Sequence, residues 1–307
     1  MTGVADFGRV AVLMGGTSAE RVVSLNSGQA VLDALLRQGV QARGIDVGPD
    51  VLQQLAAGGF DRAVVVLHGR GGEDGVIQGA LELLGMPYTG SGVAASALAM
   101  DKYRCKLLWR ALGLPTPPFT LLCEPADLEQ AVALGFPLMI KPVHEGSSIG
   151  MAKAVDEQSL VEAWEQAAEY DQEVMAECWI EGEEYTAAVL GAEVLPLIRL
   201  QTPHLFYDYD AKYQAGSTEY HCPAGLTGEQ EQALRKLVMR AFRALGARGW
   251  GRVDLFLDRR GNPFLIELNT VPGMTDHSLV PMAARQQGMD FDRLVWRILE
   301  LSLESAG

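Results

Sequence analysis

The chain is poor in the features that would tie it to an oxidising compartment, a bilayer or a nucleic acid. Its four cysteines, Cys105, Cys123, Cys178 and Cys222, are scattered, with no C-x-x-C pair. Neither a thiolate metal site nor a disulfide framework is indicated, and reduced, mostly buried thiols in a cytoplasmic protein are expected. No apolar run approaches the roughly 18 residues of a bilayer-crossing helix. The first residues show no basic stretch followed by an apolar one, so neither a membrane partner nor a signal peptide is expected. Net charge is −14, which disfavours broad binding to nucleic acid and requires any phosphate site to be a local cluster of donors. No G-x-x-x-x-G-K-[ST] occurs, which excludes a P-loop. The G-x-G-x-x-A at Gly90, Gly92 and Ala95 has no acidic residue about twenty positions on in a following strand, so it reads as a tight turn into a helix. There is no internal repeat or low-complexity segment.

What remains is an ordinary globular composition, 48% hydrophobic and 21% charged over 307 residues, with room for two or three domains. Short apolar strands at 10–14, 42–47 and 63–67 alternate with helices. This pattern argues for a parallel sheet, whose ligands gather at the carboxyl ends of the strands. Ser24 is expected to cap a helix that reaches Gln38 and stops at Gly39. Two polar loops stand at strand ends, residues 15–21 and 68–75. Glu20 in the first suits an amine, and His68 in the second suits orienting it. Taken singly, each also fits a surface capping role.

The middle of the chain carries phosphate chemistry. A helix is expected from Asp101 to Leu112, closed by Gly113 and Pro115, with Lys102 in its first turn, where a lone lysine also fits a solvated face. A strand at 137–141 ends on Lys141 and leads into His-Glu-Gly-Ser-Ser-Ile-Gly at 144–150. Glycine lets backbone N–H groups approach phosphate oxygens, and the serines add donors. A phosphate-binding flap is the reading, a Gly-Ser hairpin turn the alternative. A further strand at 173–177 runs into Glu177-Cys-Trp-Ile-Glu-Gly-Glu-Glu184, where backbone groups and carboxylates suit an adenine and a ribose.

The last part contains strands at 184–190 and 193–200, then a long polar and aromatic stretch, residues 201–223, read as a lid. A helix at 227–245 has an apolar face of Leu234, Leu237, Val238, Ala241 and Leu245, and a helix at 291–303 closes the chain. Between them lies a hairpin. Val253, Leu255 and Leu257 alternate with Arg252, Asp254 and Phe256, while Phe264, Ile266 and Leu268 alternate with Leu265, Glu267 and Asn269. Gly261 supplies the turn. If Asp258 pairs with Pro263, Asp254 faces Glu267 and Arg252 faces Asn269; a slip of one residue would break that pairing. Carboxylates directly across a ladder repel by roughly 0.2–1 kcal/mol. Two carboxylates and an amide oxygen are hard donors of the kind Mg²⁺ takes beside phosphates. A solvent-facing polar face is the alternative. The loop that follows, 269–278, is rich in hydroxyls and backbone donors and suits a small polar substrate.

Taken in order, these stretches resemble the D-alanine–D-alanine ligases of the ATP-grasp superfamily over nearly the whole chain. The motifs are G-G-x-S-x-E at 15–20, H-G-x-x-G-E-D-G at 68–75, Y-T-G-S-G at 88–92, M-D-K at 100–102, K-P-x-x-x-G-S-S-x-G at 141–150, Y-D-Y-x-A-K-Y at 207–213, G-x-x-R-x-D at 249–254 and E-x-N-x-x-P-G-M-T at 267–275. In one departure, Val22 stands where the family usually has a second Glu; it bears on a supporting interaction near the first substrate and leaves the activity expected.

The resemblance implies an α/β chain (α+β in the ATP-binding part), an ATP-grasp fold with an N-terminal Rossmann-like parallel-sheet domain. It implies an N-terminal substrate-binding domain at 1–99, a central subdomain with the glycine flap at 100–182, and a C-terminal subdomain with the metal site and lid at 183–307. The implied reaction is ATP-dependent, ADP-forming ligation of two D-alanines through a D-alanyl phosphate, for peptidoglycan precursor synthesis. Another carboxylate–amine ligase of the superfamily, or one making a D-lactate ester, is the alternative. Glu20 is implied to hold the first ammonium, with His68 near the first substrate and Ser147 and Tyr213 bridging toward Glu20. Lys102, Lys141, Ser148, Glu177, Ile180, Glu184 and Lys212 are implied to hold ATP. Asp254, Glu267 and Asn269 would ligate Mg²⁺ (two ions, with Mn²⁺ as a substitute). Arg252 and the Gly273 N–H would stabilise the oxyanion, and Ser278 and the Leu279 N–H would take the second carboxylate. D-Alanine and ATP are the implied small-molecule partners, and a cytoplasmic homodimer is expected.

Overall fold

Residues 2–202 and 218–304 are described by the structure, a computed structural model. The chain opens with β1 (Arg9–Gly15), α1 (Arg21–Arg37), β2 (Gln41–Val47), α2 (Val51–Gly58), β3 (Arg62–Val65), α3 (Val76–Leu83) and α4 (Val93–Met100). The three strands form a parallel sheet in the order β2–β1–β3. Residues Val10 through Gly15 of β1 are all buried, as expected of a parallel strand covered on both faces. Ser24 does not cap α1; it lies inside the helix, fully buried. Its hydroxyl donates to the Val66 carbonyl at 2.6 Å and accepts from the Gly15 N–H at 2.9 Å. It thereby ties together the carboxyl ends of β1 and β3, from which the two polar loops spring. The helix starts instead after Glu20, whose side chain is left free for the interior.

Next come α5 (Lys102–Ala111), β4 (Phe119–Leu122), α6 (Leu128–Leu134), β5 (Leu138–Pro142), β6 (Ala152–Ala154), α7 (Glu157–Ala168) and β7 (Val174–Cys178). The Asp101 side chain caps α5 by accepting from the Arg104 N–H at 2.8 Å. The strands make an antiparallel sheet ordered β4–β7–β5–β6. The two-residue period of a strand divides its faces. Leu138, Ile140, Val174 and Ala176 enter a core with Leu160 and Ala163 of α7. Met139, Lys141 and Glu177 turn the other way, into a cavity.

The last part holds β8 (Gly182–Leu190), β9 (Glu193–Val194), β10 (Ile198–Gln201), β11 (Glu219–His221), α8 (Gly228–Ala244), β12 (Trp250–Asp258), β13 (Pro263–Asn269), α9 (Leu279–Gln286) and α10 (Phe291–Glu304). Its sheet runs β11–β10–β8–β12–β13, with β9 on β8. The expected lid, 201–223, lies largely outside the described residues, but its last part is not irregular: Glu219–His221 pairs with β10. α8 buries Leu234, Leu237, Val238 and Ala241, as its spacing requires. α10 returns to the first part of the chain. Its Leu294, Val295, Ile298 and Leu299 share a core with Val10, Val31 and Leu35. Arg37 grips Asp292 at 2.5 Å, and the Arg62 guanidinium donates to Ser302 at 2.8 Å.

In the hairpin, Arg252 pairs with Asn269, Val253 with Leu268 and Asp254 with Glu267. Beyond that point the expected register fails. Leu255 pairs with Leu265 and Leu257 with Pro263, so Ile266 is an extra residue in a β-bulge. A bulge inverts the alternation on one side of it. Leu265 and Leu268 both enter the core, whereas Ile266 joins Phe256 on a cavity wall.

Candidate active site

Two cavities share a wall. The larger, about 300 Å³, lies among the two β-loops of the parallel sheet, the start of the hairpin and the loop before α9. The smaller, about 80 Å³, lies between the β4–β7–β5–β6 sheet and the hairpin. Lys102, Gly146, Ser147 and Glu267 line both.

In the larger cavity, Glu20 is buried and accepts a hydrogen bond from the Ser147 hydroxyl. This contact crosses from the first loop to the tip of the glycine flap. A Cβ on Gly146 would sit 2.8 Å from Glu20 Oε2, so glycine there is what permits the approach. The flap turn is tight enough that Ser147 and Ser148 adopt φ of 50° and 61°, a region costly for any residue with a Cβ. Its flanks are held by the Lys102 ammonium, which donates to the Glu145 carbonyl at 2.5 Å, and by Arg70, 2.8 Å from Glu145 Oε1. Lys102 is thus no solvated lysine.

His68 is buried, and its Nδ1 lies 2.8 Å from the Val271 carbonyl. A carbonyl only accepts, so Nδ1 carries the proton, and Nε2 faces the Ser27 hydroxyl at 3.4 Å. Burial pushes the imidazole pKa down, which keeps the ring neutral. His68 lines the larger cavity and fastens the loop after β3 to the loop after β13. Gly273, Ser278 and Leu279 line the same cavity. Leu279 is the first residue of α9, so its N–H belongs to the unpaired first turn that favours a carboxylate. Val22 is 68% exposed and lines neither cavity, so its departure from the family pattern lies outside the site.

Arg252 makes a two-pronged contact with Asp254, at 2.9 and 2.7 Å. The Thr186 hydroxyl donates to Asp254 at 2.5 Å, and the Asn269 amide N–H donates to it at 3.1 Å. Glu267 lies 3.7 Å from the Lys102 ammonium. These cations offset the repulsion of the facing carboxylates. Asp254, Glu267 and Asn269 still bring two carboxylates and one amide to neighbouring ladder positions. With the Asn269 N–H turned to Asp254, the amide oxygen is left for a cation, and this donor chemistry fits Mg²⁺. A second acidic cluster, Asp101, His144 and Glu173, has ligand atoms within 4.8 Å of one another. Arg104 already bridges Asp101 and Glu173, at 2.6 and 2.7 Å, so that cluster is an ion-pair network under the flap.

The smaller cavity is built on Glu177. Lys141 and Lys106 both pair with its carboxylate in the interior. Burial opposes its charge, yet the two ammoniums hold its carboxyl below the usual range. Lys106 has no exposed surface and donates to Thr116 Oγ1 at 2.8 Å and to the Leu265 carbonyl at 3.0 Å. Ser148, Ile180 and Glu184 line the same cavity, with Met139, Trp179, Phe256 and Ile266 as its apolar walls.

The structure therefore brings Glu20, His68, Ser147, Arg252, Gly273, Ser278 and Leu279 to one cavity, and Lys102, Lys141, Ser148, Glu177, Ile180 and Glu184 to its neighbour. Lys212 and Tyr213 lie outside the described residues. Reading the sequence missed Lys106, Thr186, Glu73, Phe256 and Ile266. Lys106 stands one turn after Lys102 on α5, the one hint available. Glu73 belongs to the His68 motif but had been given no role.

A family model described as "D-ala D-ala ligase C-terminus" matches residues 108–300, and one described as "D-ala D-ala ligase N-terminus" matches residues 48–91. The chain is similar to a D-alanine–D-alanine ligase of Methylococcus capsulatus, 60% identical over 299 residues and 97% of each chain. It is 62% identical over 297 residues to one of Alkalilimnicola ehrlichii, covering 96% of this chain and 94% of that one. Among solved structures it is similar to the D-alanine–D-alanine ligase from Bacillus anthracis complexed with ATP, with a TM-score of 0.86, 34% identity and coverage of 97% and 98%. It also resembles the VanG D-Ala:D-Ser ligase from Enterococcus faecalis, with a TM-score of 0.83, 30% identity and coverage of 96% and 99%. The chain belongs to the D-alanine–D-alanine ligase family and has its ATP-grasp fold.

Proposed function

We propose that the protein joins two D-alanines to D-alanyl-D-alanine at the expense of ATP, through a D-alanyl phosphate, to supply a peptidoglycan precursor. The observation that carries this reading is the wall common to the two cavities. A nucleotide in the smaller cavity reaches its γ-phosphate to Lys102 and the Ser147 tip, where a small carboxylic acid in the larger cavity meets it. Lys141, Ser148, Glu177, Ile180 and Glu184 hold ATP, and Glu20 holds the ammonium of the first D-alanine, with His68 beside it. A carboxylate oxygen attacks the γ-phosphorus and ADP leaves. The product is an acyl phosphate, which turns a poor electrophile into a good one.

The second D-alanine sets its carboxylate on Ser278 and the Leu279 N–H. Its amine, once deprotonated, attacks the acyl carbon, and Arg252 with the Gly273 N–H receives the oxyanion, a task for preorganised donors. The tetrahedral species expels phosphate. The flap, anchored through Glu145 and Ser147, keeps water from the acyl phosphate. Bound Mg²⁺ would neutralise the phosphates; Asp254, Glu267 and Asn269 would hold it, two ions in all, with Mn²⁺ as a substitute.

The division at 1–99, 100–182 and 183–307, a homodimer and a cytoplasmic setting are part of the same proposal. The homodimer is tested by sedimentation. No helix of the described residues is long and apolar enough to cross a membrane. The acyl phosphate is tested with D-alanine labelled with ¹⁸O in its carboxylate. One label should appear in the released phosphate for each dipeptide formed, and unlabelled phosphate would contradict the intermediate.

A further inference from the structure

Glu73 faces the larger cavity from the loop after β3, and nothing in the mechanism above uses it. That loop closes on itself: the Glu73 N–H donates to the Gly69 carbonyl at 2.9 Å, and the Gly69 N–H donates to Glu73 Oε2 at 2.7 Å. Gly69 also sits against Glu20, since a Cβ placed on it would lie 2.8 Å from Glu20 Oε2. Two carboxylates from different loops therefore flank one glycine on one cavity wall. Glu20 is engaged by the Ser147 hydroxyl. Among the described residues Glu73 has a single donor, the Gly69 N–H on Oε2, and its other oxygen has none.

We propose that Glu73 is a second anchor for the ammonium of the first D-alanine, sharing that cation with Glu20. This rests on the ligase reading above. An ammonium has three donors, and one carboxylate already bonded to a serine cannot satisfy them all. Two carboxylates side by side also need a cation between them, as like charges in one site otherwise keep a proton. Without the substrate that proton is on Glu73: burial, and then the charge of Glu20, push its carboxyl up to about 8, with Glu267 adding to this. The Gly69 N–H and Arg252 pull the other way. The other titratable groups on the cavity wall are His68, which is neutral, Lys102, which is engaged by Glu145, and His277 and Tyr220. Binding of the ammonium thus expels a proton from Glu73 and replaces it.

The experiment is calorimetric titration of D-alanine into the full chain with Mg²⁺ and a non-hydrolysable ATP analogue. It is run at pH 7 in buffers of different ionisation enthalpy. The wild type should release close to one proton per bound D-alanine, as expected for a group that titrates near 8. Glu73→Gln keeps the acceptor for the Gly69 N–H and the size of the side chain, so a merely structural role predicts no change. The proposal predicts that this variant loses the proton release and binds D-alanine about tenfold or more weakly, with KM for ATP unchanged. It also predicts that the rise of D-alanine affinity with pH toward 8 flattens in the variant. No proton release from the wild type, or release and affinity unchanged in Glu73→Gln, would overturn it. A wild-type protein that forms no dipeptide would instead overturn the ligase reading, so the two failures are distinguishable.

Discussion

Two ammoniums converge on the buried Glu177 carboxylate. Removing one partner of a buried charge network costs more than the network contributes, because the remaining charge stays buried. Lys106→Met should therefore lower stability by about 3 kcal/mol, read from denaturant melts, and raise KM for ATP while KM for D-alanine stays put. A melt unchanged from wild type would remove Lys106 from the site. Lys141 was legible because it ends a strand just before a glycine loop. Lys106 was not, since helical spacing assigns a lysine to a face without saying what lies across it; only Glu177, some seventy positions on, gives it a partner. Glu267 was legible by its position opposite Asp254 on the ladder. It stands on the wall shared by the two cavities, 3.7 Å from the Lys102 ammonium. Glu267→Gln should lower turnover by orders of magnitude at limiting Mg²⁺ and leave the melting curve near that of wild type. Near-normal turnover would remove Glu267 from the proposed metal set.

At the scale of elements, the flap shows what pattern alone resolves and what it does not. Its glycines and serines, with Lys141 at its foot, are what the proposed phosphate-loop role rests on. The ion-pair network beneath it joins α5, the flap and β7 and cannot be read from any one of them. His144 is its pivot, with Nδ1 2.8 Å from Asp171 and Nε2 3.3 Å from Asp101. The Asp101 hydrogen bond raises the imidazole pKa above its ordinary 6.5; burial opposes, and Asp171 adds to the rise. A folded-state pKa above the unfolded one gives stability that is full below 6.5 and fades as pH climbs through the raised value. The stability gap between wild type and His144→Gln should be widest near pH 6 and shrink at alkaline pH, as chemical denaturation at several pH values would read. A gap that grows with pH would mean that the charged ring is not what holds the network. The hairpin gives the opposite lesson. Alternation placed Arg252, Asp254, Glu267 and Asn269 correctly, but it put Ile266 on one face with Leu268, because one extra residue shifts the phase and nothing in the local composition announces a bulge.

Over the whole molecule, strand–helix alternation made the parallel sheet legible, but not what covers it. An amphipathic last helix announces a buried face without naming its partner, and here α10 crosses back to α1 and β1. Its Leu294, Val295, Ile298, Leu299 and Leu301 are buried, worth roughly 10 kcal/mol together, a large share of the 5–15 kcal/mol typical of a folded protein. A chain ending at Met289 should lose cooperative thermal unfolding in circular dichroism; a cooperative melt would mean that the first part of the chain has a sufficient core of its own. What the two joined cavities are for is tested most directly by ADP formation. ADP would be followed with D-alanine, L-alanine, or D-alanine plus D-lactate, and the products separated by chromatography. The expected result is ADP formed only when D-alanine is present, with one D-alanyl-D-alanine per ADP and little ester at pH 7. ADP formation indifferent to D-alanine, or an ester as the main product, would contradict the assignment.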